Sequence, residues 1–156
     1  MPQVVLFQPQ IPPNTGNVAR TCAATNTELH LIEPLGFEIN DRQVRRAGLD
    51  YWPWVKLHRH LDFAAFSQHR LERGGRLLAL SRKGARPYAQ ERFAVDDWLL
   101  FGRETDGLPQ EVLQSCSHCL AIPMAGSIEH GGGVRSLNLS VSVGVVLFEA
   151  LRQLES

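Results

Sequence analysis

The amino-acid sequence predicts an α/β fold: one domain, residues 1–156, with a mostly parallel sheet and flanking helices. The first observation is that short strand-like runs alternate with helical runs along the whole chain, an order typical of parallel sheets. The second is size, because 156 residues suit one ordinary domain with a sizeable core. The third is composition, since 44% hydrophobic and 21% charged residues exclude disorder as the main state.

The first half of the chain begins with an apolar run, Gln3 to Gln8, that predicts a strand. The prolines after it end the strand, and we expect Asn14 to cap the following helix. A second strand is predicted at Glu28 to Ile32. A short basic helix at Asp41 to Leu49 and an amphipathic helix at Leu61 to Leu71 follow. The apolar side of the second of these is made by Leu61, Ala64, Ala65 and Leu71.

The second half of the chain continues the alternation. Strands are predicted at Arg76 to Leu80, Trp98 to Phe101 and Leu120 to Met124, with a short helix at Leu108 to Gln114. The chain then predicts one clear C-terminal helix, because apolar residues recur at helical spacing: Leu137, Val141, Val145, Phe148 and Leu151. Small residues on this helix would let another helix approach its backbone closely: Ser140, Ser142 and Gly144.

Charge and cysteine content narrow the classes of protein. Sixteen basic residues balance sixteen acidic ones, so binding to nucleic acid needs a local basic patch. No basic residue precedes Arg20, and no apolar stretch approaches the roughly 20 residues that span a bilayer. Three cysteines are an odd number, whereas a small secreted protein more often pairs its thiols. We therefore expect a cytoplasmic protein without membrane contact.

Several familiar motifs are incomplete in this chain. His130 to Gly133 is similar to the oxyanion loop of lipases, but no G-x-S-x-G nucleophile motif accompanies it. Cys116-x-x-Cys119 has half the spacing of a zinc site and no second pair follows, so we expect two small thiols and no metal. The G-x-G-x-x-G and G-x-x-x-x-G-K-[ST] motifs of nucleotide-binding loops are both absent.

Three polar segments follow predicted strands, where an α/β sheet places its ligand site. They are Asn14–Arg20, Phe101–Pro109 and the pair Ile122–Met124 with Arg135–Ser140. Taken singly, each has a structural explanation: a helix cap, a charged turn and a capped helix start. Taken together, they predict one site at the carboxyl edge of the sheet.

These segments resemble the SPOUT class of S-adenosylmethionine-dependent RNA methyltransferases, and more narrowly its small tRNA wobble-nucleotide 2′-O-methyltransferases. The similarity runs from Val4 to Gln153. Its most specific parts are Ile11–Asn17, Arg45–Tyr51, Phe101–Glu104 and Ser136–Ser140. The resemblance implies a parallel sheet with a deep C-terminal trefoil knot and a homodimer, and it accounts for the missing Rossmann glycines.

The resemblance also implies a reaction: methyl transfer from S-adenosylmethionine to the ribose 2′-hydroxyl of the wobble cytidine or uridine of leucine-type tRNA, with no metal. It places the cofactor in the knot against Leu80, Gly102, Ile122 and Ser136. Gly102 would let the cofactor approach bare backbone, while Leu80 and Ile122 would sandwich the adenine. Ordinary core packing is the structural alternative for the two apolar residues.

The resemblance assigns catalytic roles to Arg20, Glu104, Asn138 and Asn14. A guanidinium stays protonated in proteins, so we expect Arg20 to orient the ribose and stabilise a developing alkoxide rather than accept a proton. We expect Glu104 to hold Arg20, and Asn14 and Asn138 to fix the ribose or the methionine part. A plain surface ion pair between Arg20 and Glu104 is the alternative.

RNA contacts are expected from basic clusters that would bind the anticodon stem-loop of tRNA: Arg45, Arg46, Arg82 and Lys83. The structural alternative is that these basic residues simply form a solvated, charged surface, which is the commoner case. Tyr51, Trp52 and Trp54 are candidates to stack an unpaired base, although core packing is expected for Trp54.

Two departures from the family pattern bear on the site. The loop Gly126 to Gly133 is long and glycine-rich, and would serve as a lid or be an inert insertion. Val141 stands where the family usually has an asparagine, which puts the methionine contacts in doubt. The alternatives are methylation at another tRNA or ribosomal RNA position, and a knotted RNA-binding protein without catalysis.

Overall fold

The computed structural model describes residues 1–39, 42, 46, 52–126 and 136–155. The described residues contain seven strands: β1 (Gln3–Phe7), β2 (Leu29–Ile32), β3 (Leu57–His60), β4 (Leu77–Leu80), β5 (Arg86–Pro87), β6 (Trp98–Phe101) and β7 (His118–Ala121). They also contain four α-helices: α1 (Pro12–Ala24), α2 (Phe63–Arg73), α3 (Gln110–Gln114) and α4 (Leu139–Glu155). Single 3₁₀ turns lie at Trp52–Trp54 and Tyr88–Gln90. None of the helices in the described ranges is long and apolar enough to cross a membrane.

The strands form one sheet in the order β3-β2-β1-β6-β4-β7-β5, and every neighbouring pair is parallel. Phe101 at the end of β6 pairs with Leu6 of β1 on one side and with Leu80 of β4 on the other. The carboxyl ends of parallel strands lie at one edge, so the segments after β1, β4, β6 and β7 meet there. The predicted α/β fold with a mostly parallel sheet is confirmed.

Helices cover both faces of the sheet. On one face α1 and α4 pack against alternate strand residues that include Val4, Leu6, Leu78, Leu99 and Leu120. On the other face Phe66 of α2 and Val112 of α3 pack against Val5, Ala79 and Leu100. Because successive strand residues point to opposite faces, a strand buried on both sides is apolar throughout. This is why the central strands were recognisable in the sequence.

Helix α1 begins before the residue that the sequence predicts. Ile11 is the N-cap residue, and prolines occupy the first two helical positions, so Asn14 is not the cap. Proline is tolerated there because the first helical N–H groups have no partner within the helix. Asn14 consequently lies in the first turn and is buried.

The buried sides of two helices differ from the predicted ones. Helix α4 buries Leu139, Val143, Val146, Leu147 and Ala150, whereas Val141 and Phe148 are 50% and 55% exposed. This helix is apolar on most sides, so the spacing of its apolar residues does not select one face. In α2 the buried residue is Phe66, and Leu61 and Leu71 lie exposed at or beyond its ends.

Strand bounds also differ at several ends. The strand predicted at Leu120 to Met124 corresponds to β7, which spans His118–Ala121. Ile122 therefore lies just after the strand rather than within it. Strand β3 was missed because its sequence, LHRH, lacks an apolar run. Strand β5 was missed because it has two residues. Most of the helix predicted at Asp41 to Leu49 lies outside the described residues.

Candidate active site

A cavity of about 460 Å³ opens at the carboxyl edge of the sheet. Leu80 at the end of β4 and Phe101 at the end of β6 contribute to its wall, as does Ile122 after β7. Asn14 from the first turn of α1 and Asn138 just before α4 complete the wall on the helical side. The three polar segments singled out in the sequence therefore converge on one crevice, the usual ligand position in an open parallel sheet.

The four residues predicted to hold a cofactor all line this cavity: Leu80, Gly102, Ile122 and Ser136. Leu80 is 9% exposed, and Ile122 is partly buried against the same core cluster. The two side chains give the cavity an apolar side, while the 102–107 turn and Ser136 give it a polar one. This mixture suits a ligand with an aromatic ring and polar edges.

Gly102 allows a tight turn to close beneath the cavity. A Cβ atom at this position would lie 2.5 Å from the carbonyl carbon of Gly107 and 2.7 Å from the backbone nitrogen of Leu108. The turn is closed by two backbone hydrogen bonds, Arg103 N to Gly107 O at 3.2 Å and Gly107 N to Arg103 O at 3.0 Å. The close approach that requires glycine is thus to the turn's own backbone, rather than to a ligand as the sequence suggested.

Glu104, in the turn after β6, caps the start of helix α1. Its carboxylate accepts hydrogen bonds from the backbone N–H groups of Gln10 and Ile11 at 2.9 and 2.8 Å. It also accepts one from Asn14 Nδ2 at 3.3 Å. The negative charge lies at the positive end of the helix, where it is favoured. The partners of the Glu104 carboxylate shown here are at the start of α1, and the expected contact with Arg20 stays a prediction.

Asn14 and Asn138 continue this polar network. Asn138 Nδ2 donates to Asn14 Oδ1 at 2.9 Å, and Asn138 Oδ1 accepts from both the backbone N–H and the hydroxyl of Ser140, at 2.9 and 2.6 Å. Asn138 thereby caps α4, much as Glu104 caps α1. One chain of hydrogen bonds links the turn after β6 with the starts of both helices, and so holds the cavity wall together.

Replacing Glu104 by glutamine tests this network. We expect the free energy of unfolding to fall by about 2 kcal/mol, because an amide cannot accept from two N–H groups with two oxygens and its NH₂ would face a donor. Denaturant titration measures the change. Glu155→Gln, an exposed position in the last turn of α4, is the matched control and should be near neutral. Equal stability of the two variants would contradict the capping role.

Arg20 lies on the exposed side of α1 and is not part of the cavity wall. Of the residues predicted to contact RNA, Arg82 and Lys83 line the cavity. Arg46 is exposed, and Arg45 lies outside the described residues. Trp54 is 70% exposed, so the expectation that it packs in the core is wrong. Val141 is half exposed and does not line the cavity.

The sequence did not reveal how the turn after β6 is held. Arg103 donates to Gln8 and to Asp106, and its guanidinium lies 5.2 Å from the centre of the Phe7 ring. Thr105 donates to Gln10 Oε1 at 2.7 Å. The charged turn itself is visible in the sequence. Its partners Gln8 and Gln10 are not, because they follow β1, more than ninety residues earlier in the chain.

The fold and the crevice define an α/β protein with its ligand site at the carboxyl edge of a parallel sheet. The chain belongs to the SpoU rRNA Methylase family, whose model matches residues 1–148. This match confirms the resemblance to RNA methyltransferases of the SPOUT class that the sequence motifs indicated.

Individual relatives are similar over nearly the whole chain. The tRNA (cytidine(34)-2′-O)-methyltransferase of Saccharophagus degradans is 46% identical over 153 residues, covering 97% of this chain and 94% of that one. A solved structure described as "Structural insights into the 2-OH methylation of C/U34 on tRNA" is 52% identical, has a TM-score of 0.91 and covers 99% and 97% of the two chains. The AdoMet-bound rRNA methyltransferase from Sinorhizobium meliloti is 26% identical with a TM-score of 0.86, covering 99% of this chain and 57% of that one.

Proposed function

We propose that the protein methylates the ribose 2′-hydroxyl of the wobble nucleotide of tRNA, cytidine or uridine, with S-adenosylmethionine as donor. The observation that carries the proposal is the cavity formed by all the predicted cofactor residues, in a chain whose full-length relatives are named for this reaction. Leucine-type tRNA is the substrate that the resemblance favours. The polar network of Glu104, Asn14 and Asn138 holds the cavity wall in place.

The residues of the cavity fit the proposed donor. Leu80 and Ile122 provide apolar surface for the adenine ring, and the backbone of the 102–107 turn provides N–H and carbonyl groups for its edge. Ser136 and Asn138 also line the cavity, and their polar groups suit the ribose and the methionine part. A relative 26% identical to this chain has been solved with AdoMet bound. When bound, the donor supplies a methyl group activated by its sulfonium.

The protein's contribution to the transfer is mainly positioning. In-line displacement requires the ribose oxygen, the methyl carbon and the sulfur to lie in a row, and correct alignment lowers the barrier substantially. The new O–C bond forms as the C–S bond breaks, and the hydroxyl proton leaves to solvent. Arg20 is our candidate for the group that orients the ribose and stabilises negative charge on its oxygen. Because Arg20 is exposed on α1 and is not part of the cavity wall, this role requires the ribose to lie outside the cavity.

The RNA-binding surface that we propose surrounds the mouth of the cavity. Arg82 and Lys83 line the cavity beside β4, where their charges are placed for phosphates next to the target ribose. Arg46 is exposed, and the exposed ring of Trp54 is available to stack a base. Recognition of the anticodon stem-loop would then use local basic groups on a chain whose formal net charge is zero.

We further propose the assembly that the resemblance implies: a homodimer, with the C-terminal segment forming a trefoil knot. Val141 and Phe148, both on α4 and about half exposed, are apolar positions that a second copy would cover. Light scattering measures the mass in solution, and a monomer at micromolar concentration would contradict the dimer. We also propose that the protein acts on tRNA in the cytoplasm.

The decisive experiment uses a synthetic anticodon stem-loop and purified protein with radiolabelled S-adenosylmethionine. We expect one methyl group per RNA, and none when the wobble ribose is replaced by 2′-deoxyribose. The deoxy substrate differs in the acceptor oxygen alone, so it controls for RNA binding. Equal labelling of both RNAs would show methylation at another position. Absence of labelling, together with absence of S-adenosylmethionine binding, would favour the non-catalytic RNA-binding alternative.

A further inference from the structure

Four histidines gather at the edge of the sheet away from the cavity. They are His30 in β2, His58 and His60 in β3, and His69 in α2. This edge carries strands β3 and β2, whereas the cavity lies beside β4, β6 and β7. His30 is fully buried and His60 is 8% exposed. The methyl-transfer reaction assigns nothing to these side chains.

Three of the imidazoles converge closely enough to share one ion. His30 Nδ1 and His60 Nε2 are joined by a hydrogen bond of 2.9 Å, so one of them carries a hydrogen that a bound ion would displace. One nitrogen from each of His30, His60 and His69 lies within 4.8 Å of the others. A tetrahedral zinc ion with Zn–N bonds of about 2.0–2.1 Å needs nitrogens about 3.4 Å apart. Side-chain rotations that move nitrogens by about 1 Å therefore suffice to form the site.

A carboxylate fixes the orientation of the central ring. His30 Nε2 lies 3.2 Å from Glu28 Oε1, and that carboxylate accepts hydrogen bonds from both terminal nitrogens of Arg73, at 2.8 and 3.0 Å. A carboxylate can only accept, so His30 Nε2–H donates a hydrogen bond to Glu28 and Nδ1 presents a lone pair. Metal-binding histidines commonly have such a carboxylate on the second nitrogen.

Burial also disfavours the charged form of two of these rings, His30 and His60. Burial, together with His58 and His60 nearby, lowers the pKa of His30 to about 3, and burial likewise lowers the pKa of His60. Imidazole ligands suit first-row divalent transition metals, whereas calcium and magnesium prefer oxygen.

A second arrangement, Glu28 with His30 and His58, is less suitable. Arg73 occupies both oxygens of Glu28, so an ion there would face a guanidinium. Arg73 Nη1 also lies 3.5 Å from His69 Nε2, which is at the limit of a hydrogen bond. The two shorter bonds to Glu28 hold the guanidinium, so its longer contact with His69 is the weakest of the three.

We propose that His30, His60 and His69 form a binding site for one zinc ion that joins β2, β3 and α2. The fourth position is open to water on the side of half-buried His69. An ion at this place would stabilise the outer edge of the sheet rather than take part in methyl transfer. By mass action, zinc then raises the melting temperature of the folded chain.

The test uses full-length protein without a histidine tag, stripped with a chelator and titrated with zinc in a calorimeter. We expect one ion per chain and a zinc-dependent rise in melting temperature. His69→Ala should weaken binding on the order of 100-fold or more, while His118→Ala, at the other side of the sheet, should leave it unchanged. His69 is half-buried on α2, so the metal-free melting temperature of its variant serves to confirm folding.

Two further measurements test which side chains bind the zinc ion. His58→Ala should bind zinc as the unmodified chain does, and loss of binding in this variant alone would overturn the proposed ligand set. Cobalt substitution reports the ligand type, because the three free cysteines Cys22, Cys116 and Cys119 would give a thiolate charge-transfer band. That band, or wild-type affinity in His69→Ala, would overturn the site.

Discussion

Gly102→Ala should abolish methyl transfer and weaken S-adenosylmethionine binding on the order of 100-fold, about 2.7 kcal/mol. The added Cβ would lie 2.5 Å from the carbonyl carbon of Gly107 and 2.7 Å from its Cα, and neither is the end of a flexible side chain. The turn must therefore open, which breaks the paired hydrogen bonds between Arg103 and Gly107. Glu104 lies in the same turn, so the hydrogen bonds by which it caps α1 are disturbed as well.

The control for this prediction is Gly126→Ala, two residues after Met124 in the chain and not part of the cavity wall. A Cβ there would meet nothing within 4 Å, so we expect donor affinity and turnover close to those of the unmodified protein. Calorimetric titration with S-adenosylmethionine measures affinity, and circular dichroism shows whether each variant is folded. Unchanged affinity in a folded Gly102→Ala protein would show that the cofactor does not depend on this turn.

The sequence located the site well because a parallel sheet places all its carboxyl ends at one edge. Leu80, Gly102 and Ile122 follow or end three separate strands, and the fold alone brings them to one cavity. The predicted strand bounds were good to about two residues for the central strands, whose burial on both faces makes them continuously apolar. Recognition of the family motifs supplied the chemistry, which strand and helix periodicity does not contain.

The hydrogen bonds of the site could not be predicted, because they join residues far apart in the chain. Glu104 contacts Gln10 and Ile11, ninety-four and ninety-three residues away, and nothing in the local sequence identifies a carboxylate as the cap of that helix. Local rules instead favoured Asn14 as the cap. A short-range signal was thus overridden by a tertiary contact.

Two other errors share a physical cause: a pattern that fits more than one environment. Helix α4 has apolar residues on several sides, and the face predicted to be buried carries Val141 and Phe148, which are half exposed. Strand β3, with the sequence LHRH, has no apolar run and was missed, yet its His60 is buried against His30 and Phe66. Only the pairing of β3 with β2 shows that these rings form a cluster.

Arg20→Ala should lower the rate of methyl transfer on the order of 100- to 1,000-fold, the usual cost of removing a donor that stabilises developing negative charge. The fold and the donor affinity should change little, because Arg20 is exposed on α1 and lies outside the cavity wall. Arg20→Lys keeps the charge but loses the planar fork, so we expect intermediate activity. Arg92→Ala, an exposed arginine between β5 and β6, is the matched control.

Steady-state kinetics on the anticodon stem-loop distinguish the two roles open to Arg20. A residue that only binds a phosphate raises KM for RNA and leaves kcat unchanged, whereas a donor to the forming alkoxide lowers kcat even at saturating RNA. We expect the second pattern, because a protonated guanidinium beside the ribose oxygen interacts more strongly as negative charge develops. Near-normal kcat with a raised KM would move Arg20 from the chemical step to the RNA-binding surface formed by Arg82 and Lys83.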